Sequence, residues 1–120
     1  MPLSFYFKNM TSPELAHIIS VLENRNPALP LAEGREWLDH FIGDFPLPEG
    51  VRVYTETIAG VPCERLVPKG LETEECKILY FHGGGYIRGS LYSHRPCVGY
   101  LAHTSNLEVV NVGYRLAPEF

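Results

Sequence analysis

Residues 82–90 read His82-Gly83-Gly84-Gly85-Tyr86-Ile87-Arg88-Gly89-Ser90 and follow directly on the short apolar run Lys77–Phe81. Three consecutive glycines leave backbone N–H groups uncovered by side chains and reach backbone angles that other residues avoid. Such a loop, held at the carboxyl end of a buried strand, is suited to binding negative charge. A tight turn without function is the competing reading, but three glycines carry an entropic cost that a plain turn does not need. Phosphate is the first anion to test, and the spacing rejects it. A dinucleotide fingerprint begun at Gly83 needs glycine at 88, where Arg88 stands. A P-loop begun at Gly84 matches Gly89 but then meets Ser90 and Leu91 in place of Lys and Ser/Thr. A developing oxyanion remains.

The elements around this loop follow from pattern. Thr11-Ser12-Pro13-Glu14 combines a hydroxyl cap, a proline at the first helical position and an acid in the first turn. Leu15, Ile18, Ile19 and Leu22 follow as one apolar stripe, which predicts a helix of about three turns. Two prolines in 24–30 end it, and a second helix is predicted over 31–42, with Trp37, Leu38, Phe41 and Ile42 on its apolar side. Residues 43–50 read as a linker. The period then becomes strand-like. Residues 51–58 alternate and are rich in β-branched types, Ala59-Gly60 turns the chain, and 61–67 returns, which makes a hairpin. Pro62 and Pro68 suit an edge position for that second strand. Residues 77–81 and 107–112 each read as strands apolar on both faces, with a helix over 91–104 between them. Strand, glycine-rich loop, helix and strand form a βαβ unit, so the class is α/β with a mixed, mostly parallel sheet.

Composition narrows the function. With 120 residues the chain suffices for one modest domain, and 45% hydrophobic with 20% charged residues is ordinary for a globular protein. Ten basic residues against fourteen acidic ones leave a net charge of −4, and the basic residues are scattered, so no nucleic-acid surface is expected. Cys63, Cys76 and Cys97 form no C-x-x-C pair and read as small hydrophobes in or near a core. The opening MPLSFYFKNM lacks a basic n-region and a continuous apolar stretch, and no run is long enough to span a bilayer, so the expectation is a cytoplasmic protein.

Two blocks carry a family resemblance. His82-Gly83-Gly84-Gly85 resembles the HGGG oxyanion loop of the hormone-sensitive-lipase-like α/β-hydrolases. Gly113-Tyr114-Arg115-Leu116-Ala117-Pro118-Glu119 resembles the Y-R-L-A-P-E block at the end of that family's next strand. The pair, about 30 residues apart with each block ending a strand, is far more specific than HGGG alone. Gly113 departs from the Asp that many members carry. The resemblance implies an α/β-hydrolase fold seen in its N-terminal portion. Residues 1–48 would be a helical cap segment, and 49–120 the hairpin and first βαβ unit of an incomplete core. It implies a carboxylic-ester hydrolase of the esterase or lipase type that acts on small-molecule esters and needs no cofactor or metal. Gly83, Gly84 and Gly85 would form the oxyanion hole, with the N–H groups of Gly84 and Gly85 as donors. His82 would orient the loop, and Tyr86 either lines the pocket or simply packs. Gly84→Val is then expected to leave the fold largely intact and to lower kcat more than it raises KM.

The triad is not here. None of Ser4, Ser12, Ser20, Ser90, Ser93 and Ser105 sits in G-x-S-x-G, and the family places Ser, Asp or Glu, and His after the Y-R-L-A-P-E block. Catalytic Ser, Asp/Glu and His are therefore expected downstream of residue 120, and this length alone is expected to be inactive. His17, His40, His94 and His103 suit surface or packing roles, Asp39 and Asp44 have no base to meet, and His82, His94 and His103 lack metal-ligand spacing. A non-catalytic receptor on the same scaffold, or a fragment with only a structural role, are the alternative readings. Two strands apolar on both faces with one covering helix predict association through the exposed edge, either with the missing C-terminal part or with another copy.

Overall fold

A computed structural model describes residues 12–71 and 76–120, and Thr11 of the first predicted cap lies outside them. Helix α1 spans Pro13–Glu23, and its Ser12 cap accepts a hydrogen bond from the Leu15 N–H at 3.3 Å. It buries no residue. Helix α2 spans Leu31–Gly43. The hairpin follows as β1 (Val51–Ile58) and β2 (Val61–Pro68), turned by Ala59 at φ +50° and Gly60 at +81°. Two successive positive φ angles match the right-handed twist of the strands they join. Then come β3 (Lys77–Phe81), α3 (Leu91–Ser105) and β4 (Glu108–Val112).

The sheet order is β1-β2-β4-β3. β2 runs antiparallel to both β1 and β4, while β3 and β4 run parallel with Phe81 opposite Val112. The expected mixed sheet and βαβ unit are therefore present, but two of the three strand pairings among the described residues are antiparallel, because β2 of the hairpin opposes the strands on both of its sides. Leu66, Val98, Ala102 and Val109 are fully buried between α3 and the sheet, and Cys63, Val110 and Val112 form a smaller cluster on the opposite face with Val61 and Tyr114. Residues 43–50 do more than link. Leu47 and Pro48 press on α3 so closely that a Cβ on Gly99 would lie 2.5 Å from Leu47 Cδ2.

Four expectations are corrected. β2 is an interior strand, not an edge. Its prolines are tolerated because β4 pairs only with Cys63–Leu66, leaving Pro62 and Pro68 outside that ladder. β3 is not buried on both faces. Ile78 and Tyr80 are half-buried, whereas Leu79 and Phe81 are 59% and 60% exposed, because β3 ends the sheet and no layer covers that side among the described residues. β4, in contrast, is buried throughout. Of the cysteines, only Cys63 is buried; Cys76 and Cys97 are exposed. Finally, the sheet holds buried charge that its apolar pattern concealed, namely Glu64 facing Arg95 and Glu108 facing Arg65 and Lys77. Among the described residues, no helix is long and apolar enough to cross a membrane.

Candidate functional site: the glycine loop after the third strand

β3 delivers the chain to His82, and Ser90 starts α3. Ser90 and Ser93 form a reciprocal cap: the Ser93 N–H donates to Ser90 Oγ at 3.0 Å, and the Ser90 N–H donates to Ser93 Oγ at 2.8 Å. The loop is thus fixed at both ends. Between them, His82, Gly83, Gly84, Gly85 and Tyr86 line one cavity of about 480 Å³ together with Phe81 and Tyr114. All five residues singled out in the sequence come together there, joined by a tyrosine from the second motif block.

The orientation of the glycine amides follows from what holds their carbonyls. In a trans peptide the C=O and the next N–H point in opposite directions. The Gly83 carbonyl lies 2.9 Å from His82 Nδ1, which must carry the proton because a carbonyl only accepts. The Gly84 N–H therefore points away from His82. The Gly84 carbonyl accepts from Arg88 N–H at 3.0 Å and from Ile87 N–H at 3.3 Å, which turns the Gly85 N–H outward in the same manner. Both glycines are exposed, and neither N–H has a hydrogen-bond partner among the described residues. Two unengaged donors border the cavity.

The sequence forces this shape. Gly84 sits at φ +129°, and a Cβ there would lie 2.0 Å from the Arg88 carbonyl oxygen. Gly89, at φ +87°, would place a Cβ 2.3 Å from the Gly83 oxygen. Gly85 and Tyr86 both take φ +64°, yet a Cβ on Gly85 would meet nothing within 4 Å. The expectation that Gly84→Val spares the fold is therefore corrected: that side chain has no room against the Arg88 backbone.

His82 is buried. Its ring stacks on Tyr114 with centroids 4.3 Å apart and lies 5.3 Å from the His94 ring. Burial, and then the neighbouring His82, push the His94 pKa down, so His94 is neutral at neutral pH. Ser93 Oγ stands 2.9 Å from His94 Nδ1, a Ser–His contact that invites a catalytic reading. It carries none, because Ser93 is fully buried and its hydroxyl is engaged in the α3 cap. Among the described residues, no serine or carboxylate lines the glycine cavity. Tyr86 is 77% exposed at the cavity mouth.

Sequence reasoning missed the ties from α2. Arg35 reaches Ile87, Ala117 and Glu119, and Asp39 accepts from Ser90 Oγ at 2.7 Å. Asp44 accepts from the Tyr92 hydroxyl, and its pKa is lowered chiefly by that bond. Only Ala117 and Glu119 carried a signal, through their place in the second motif block. No group of His, Cys, Asp or Glu able to hold a metal ion occurs among the described residues.

This mixed sheet, with a glycine loop between its first parallel strand and its crossover helix, is the α/β-hydrolase architecture, and residues 78–120 match the family model described as alpha/beta hydrolase fold. The fold superposes on an esterase of the bacterial hormone-sensitive lipase family with TM-score 0.80 and 30% identity, covering 91% of this chain and 37% of that one. A hormone-sensitive lipase from a metagenome library gives TM-score 0.79 and 35% identity over 92% of this chain and 37% of its own. By sequence, the versiconal hemiacetal acetate esterase of Emericella nidulans is 37% identical over 78 residues, 64% of this chain and 27% of the relative. The ethyl acetate hydrolase of Pseudomonas putida is 51% identical over 43 residues, 36% of this chain and 14% of that protein. The chain has the α/β-hydrolase fold and is similar to esterases of the hormone-sensitive lipase family, and it spans well under half the length of these relatives.

Proposed function

We propose that this chain supplies the oxyanion-binding loop of a serine carboxylic-ester hydrolase. The observation that carries the reading is the pair of outward, unpartnered N–H groups on Gly84 and Gly85, each set by the preceding carbonyl, that of Gly83 held by His82 and that of Gly84 held by Ile87 and Arg88. Donors preset in this way act where charge develops as an ester carbonyl becomes tetrahedral. His82 holds the Gly83 carbonyl, and so acts as the orienting residue rather than as a base. Gly83 contributes that carbonyl, and Tyr86 lines the mouth of the acyl or alcohol pocket. Residues 1–48 serve as a helical cap segment and 49–120 as the first part of the core. The relatives named as an acetate esterase and an ethyl acetate hydrolase support a small ester as substrate. The nucleophile, acid and base come from outside residues 1–120, since no G-x-S-x-G is present in them.

The test is a chimera in which residues 1–120 replace the matching part of a structurally similar esterase. Saturable hydrolysis of p-nitrophenyl acetate, abolished by a serine-directed phosphonate, is the expected result, with none from residues 1–120 alone. A second arm exchanges the Gly85 amide for an ester by semisynthesis, which replaces its N–H by an oxygen, with the loop fold of the product checked by NMR. A fall in kcat of about 10²–10³ is expected. A well-folded chimera without turnover, or an unchanged kcat after the exchange, overturns the reading.

A further inference from the structure

Arg35, on α2, engages all three nitrogens of its guanidinium with residues far along the chain. Nε donates to the Ile87 carbonyl at 2.7 Å, and Nη2 donates to the Ala117 carbonyl at 2.8 Å. Nη1 and Nη2 grip the two oxygens of Glu119 at 2.7 and 2.9 Å. That grip holds the Glu119 carboxyl well below its ordinary range. The Ala117 N–H in turn donates to the Tyr86 carbonyl at 2.9 Å. Arg35, Ile87, Tyr86 and Ala117 thus form a closed circuit joining α2, the glycine loop and the second motif block.

The circuit bears on the amides. The Gly85 N–H keeps its direction only while the Gly84 carbonyl accepts from Ile87 and Arg88. That turn ends at Ile87, whose carbonyl Arg35 anchors, and passes through Tyr86, whose carbonyl Ala117 anchors. A half-exposed ion pair by itself adds little to stability. A planar fork spanning two carbonyls and a carboxylate instead fixes orientation, and a lysine cannot span them together.

We propose that Arg35, locked by Glu119, is a positioning residue through which the helical segment sets the aim of the Gly84 and Gly85 amides. Its catalytic consequence rests on the oxyanion reading above; its structural content does not. Amide hydrogen exchange and chemical shifts, read by NMR on the chain itself, test it. In Arg35→Lys, exchange at Ile87, Arg88 and Ala117 is expected to quicken at least tenfold and the Gly84 and Gly85 resonances to move. Gly34 in α2, bonded to Pro30, and Val109 in β4 should stay within twofold. Glu119→Gln, at an exposed position, should produce a smaller change at the same amides. Loop amides within twofold of the parent overturn the proposal, and so does a rise spread equally through α2 and β4. In the chimera, Arg35→Lys should lower kcat at least tenfold with KM within twofold. Exchange that quickens while kcat holds would leave the clamp standing and remove the oxyanion reading. A kcat that falls without any change in exchange would overturn the clamp.

Discussion

The Tyr114 hydroxyl donates to the His82 backbone carbonyl at 2.5 Å while the two rings stack, so residues 32 positions apart join the motif blocks directly. Burial raises the Tyr114 pKa, which keeps the hydroxyl protonated and donating through neutral pH. Tyr114→Phe retains the ring and deletes only the donor. The loss is expected to be about 1 kcal/mol, or roughly 4 °C in Tm, measured by thermal denaturation. An unchanged Tm would show that the hydroxyl adds nothing to the junction.

The two central glycines should respond differently to one methyl group. At Gly84 the methyl collides with the Arg88 backbone, so Gly84→Ala is expected to cost ~2–3 kcal/mol through displacement of the loop. At Gly85 there is open space, and only the left-handed backbone is disfavoured, about 1 kcal/mol. Urea denaturation of the two variants compares them, and equal losses would contradict the described loop geometry.

Local signals were legible where local physics decides the outcome. The Ser12 cap, the two helices, the hairpin turn and the glycine loop were all read from neighbours in sequence, and the structure places each of them as expected, although Leu15 and Leu22 of the first stripe are exposed. What escaped depends on partners distant in the chain. Lys77–Phe81 looks the same whether it lies inside a sheet or ends one, so the exposure of Leu79 and Phe81 had no signature. Pro62 and Pro68 suggested an edge, because sequence does not show that β4 pairs with only four residues of β2. Arg35 offered nothing to read. Its carboxylate partner lies 84 residues away, and an arginine on a polar helix face is ordinarily a solvated charge.

Acid should unfold the protein partly through one buried carboxylate. Glu108 is 1% exposed and receives Arg65 Nη2 at 2.8 Å and Lys77 Nζ at 3.0 Å. Its pKa falls from 4.5 to about 2, chiefly through the Arg65 hydrogen bonds, against the opposing effect of burial. A carboxylate depressed in the folded state stabilises above its unfolded pKa, and that stability is lost as pH drops from about 4.5 toward 2. The difference corresponds to roughly 3 kcal/mol. Glu108→Gln should therefore be weaker than the parent at pH 7 and converge on it near pH 2. Urea denaturation across that range checks this, and parallel curves for the two proteins would reassign the acid sensitivity to another group.

The open side of β3 should govern the behaviour of the isolated chain in solution. β4 pairs with one edge of β3, and no strand pairs with the other among the described residues. On its uncovered face, Leu79 and Phe81 stand more than half exposed, with Tyr86 beyond them. An unpaired edge beside apolar side chains favours edge-to-edge pairing, and Lys77 is the strand's single charge against it. We propose that residues 1–120 associate through this edge, either with a second copy or with the remainder of a hydrolase core. Size exclusion with light scattering at about 50 μM should give a mass above 13.5 kDa, with binding of a hydrophobic dye. Leu79→Lys places a charge in the middle of the exposed face without touching the half-buried positions Ile78 and Tyr80. It should shift the population toward monomer and reduce dye binding, because an edge lysine opposes pairing. A parent chain that elutes as a clean 13.5 kDa monomer, melts cooperatively and binds no dye would show that the face is covered in solution.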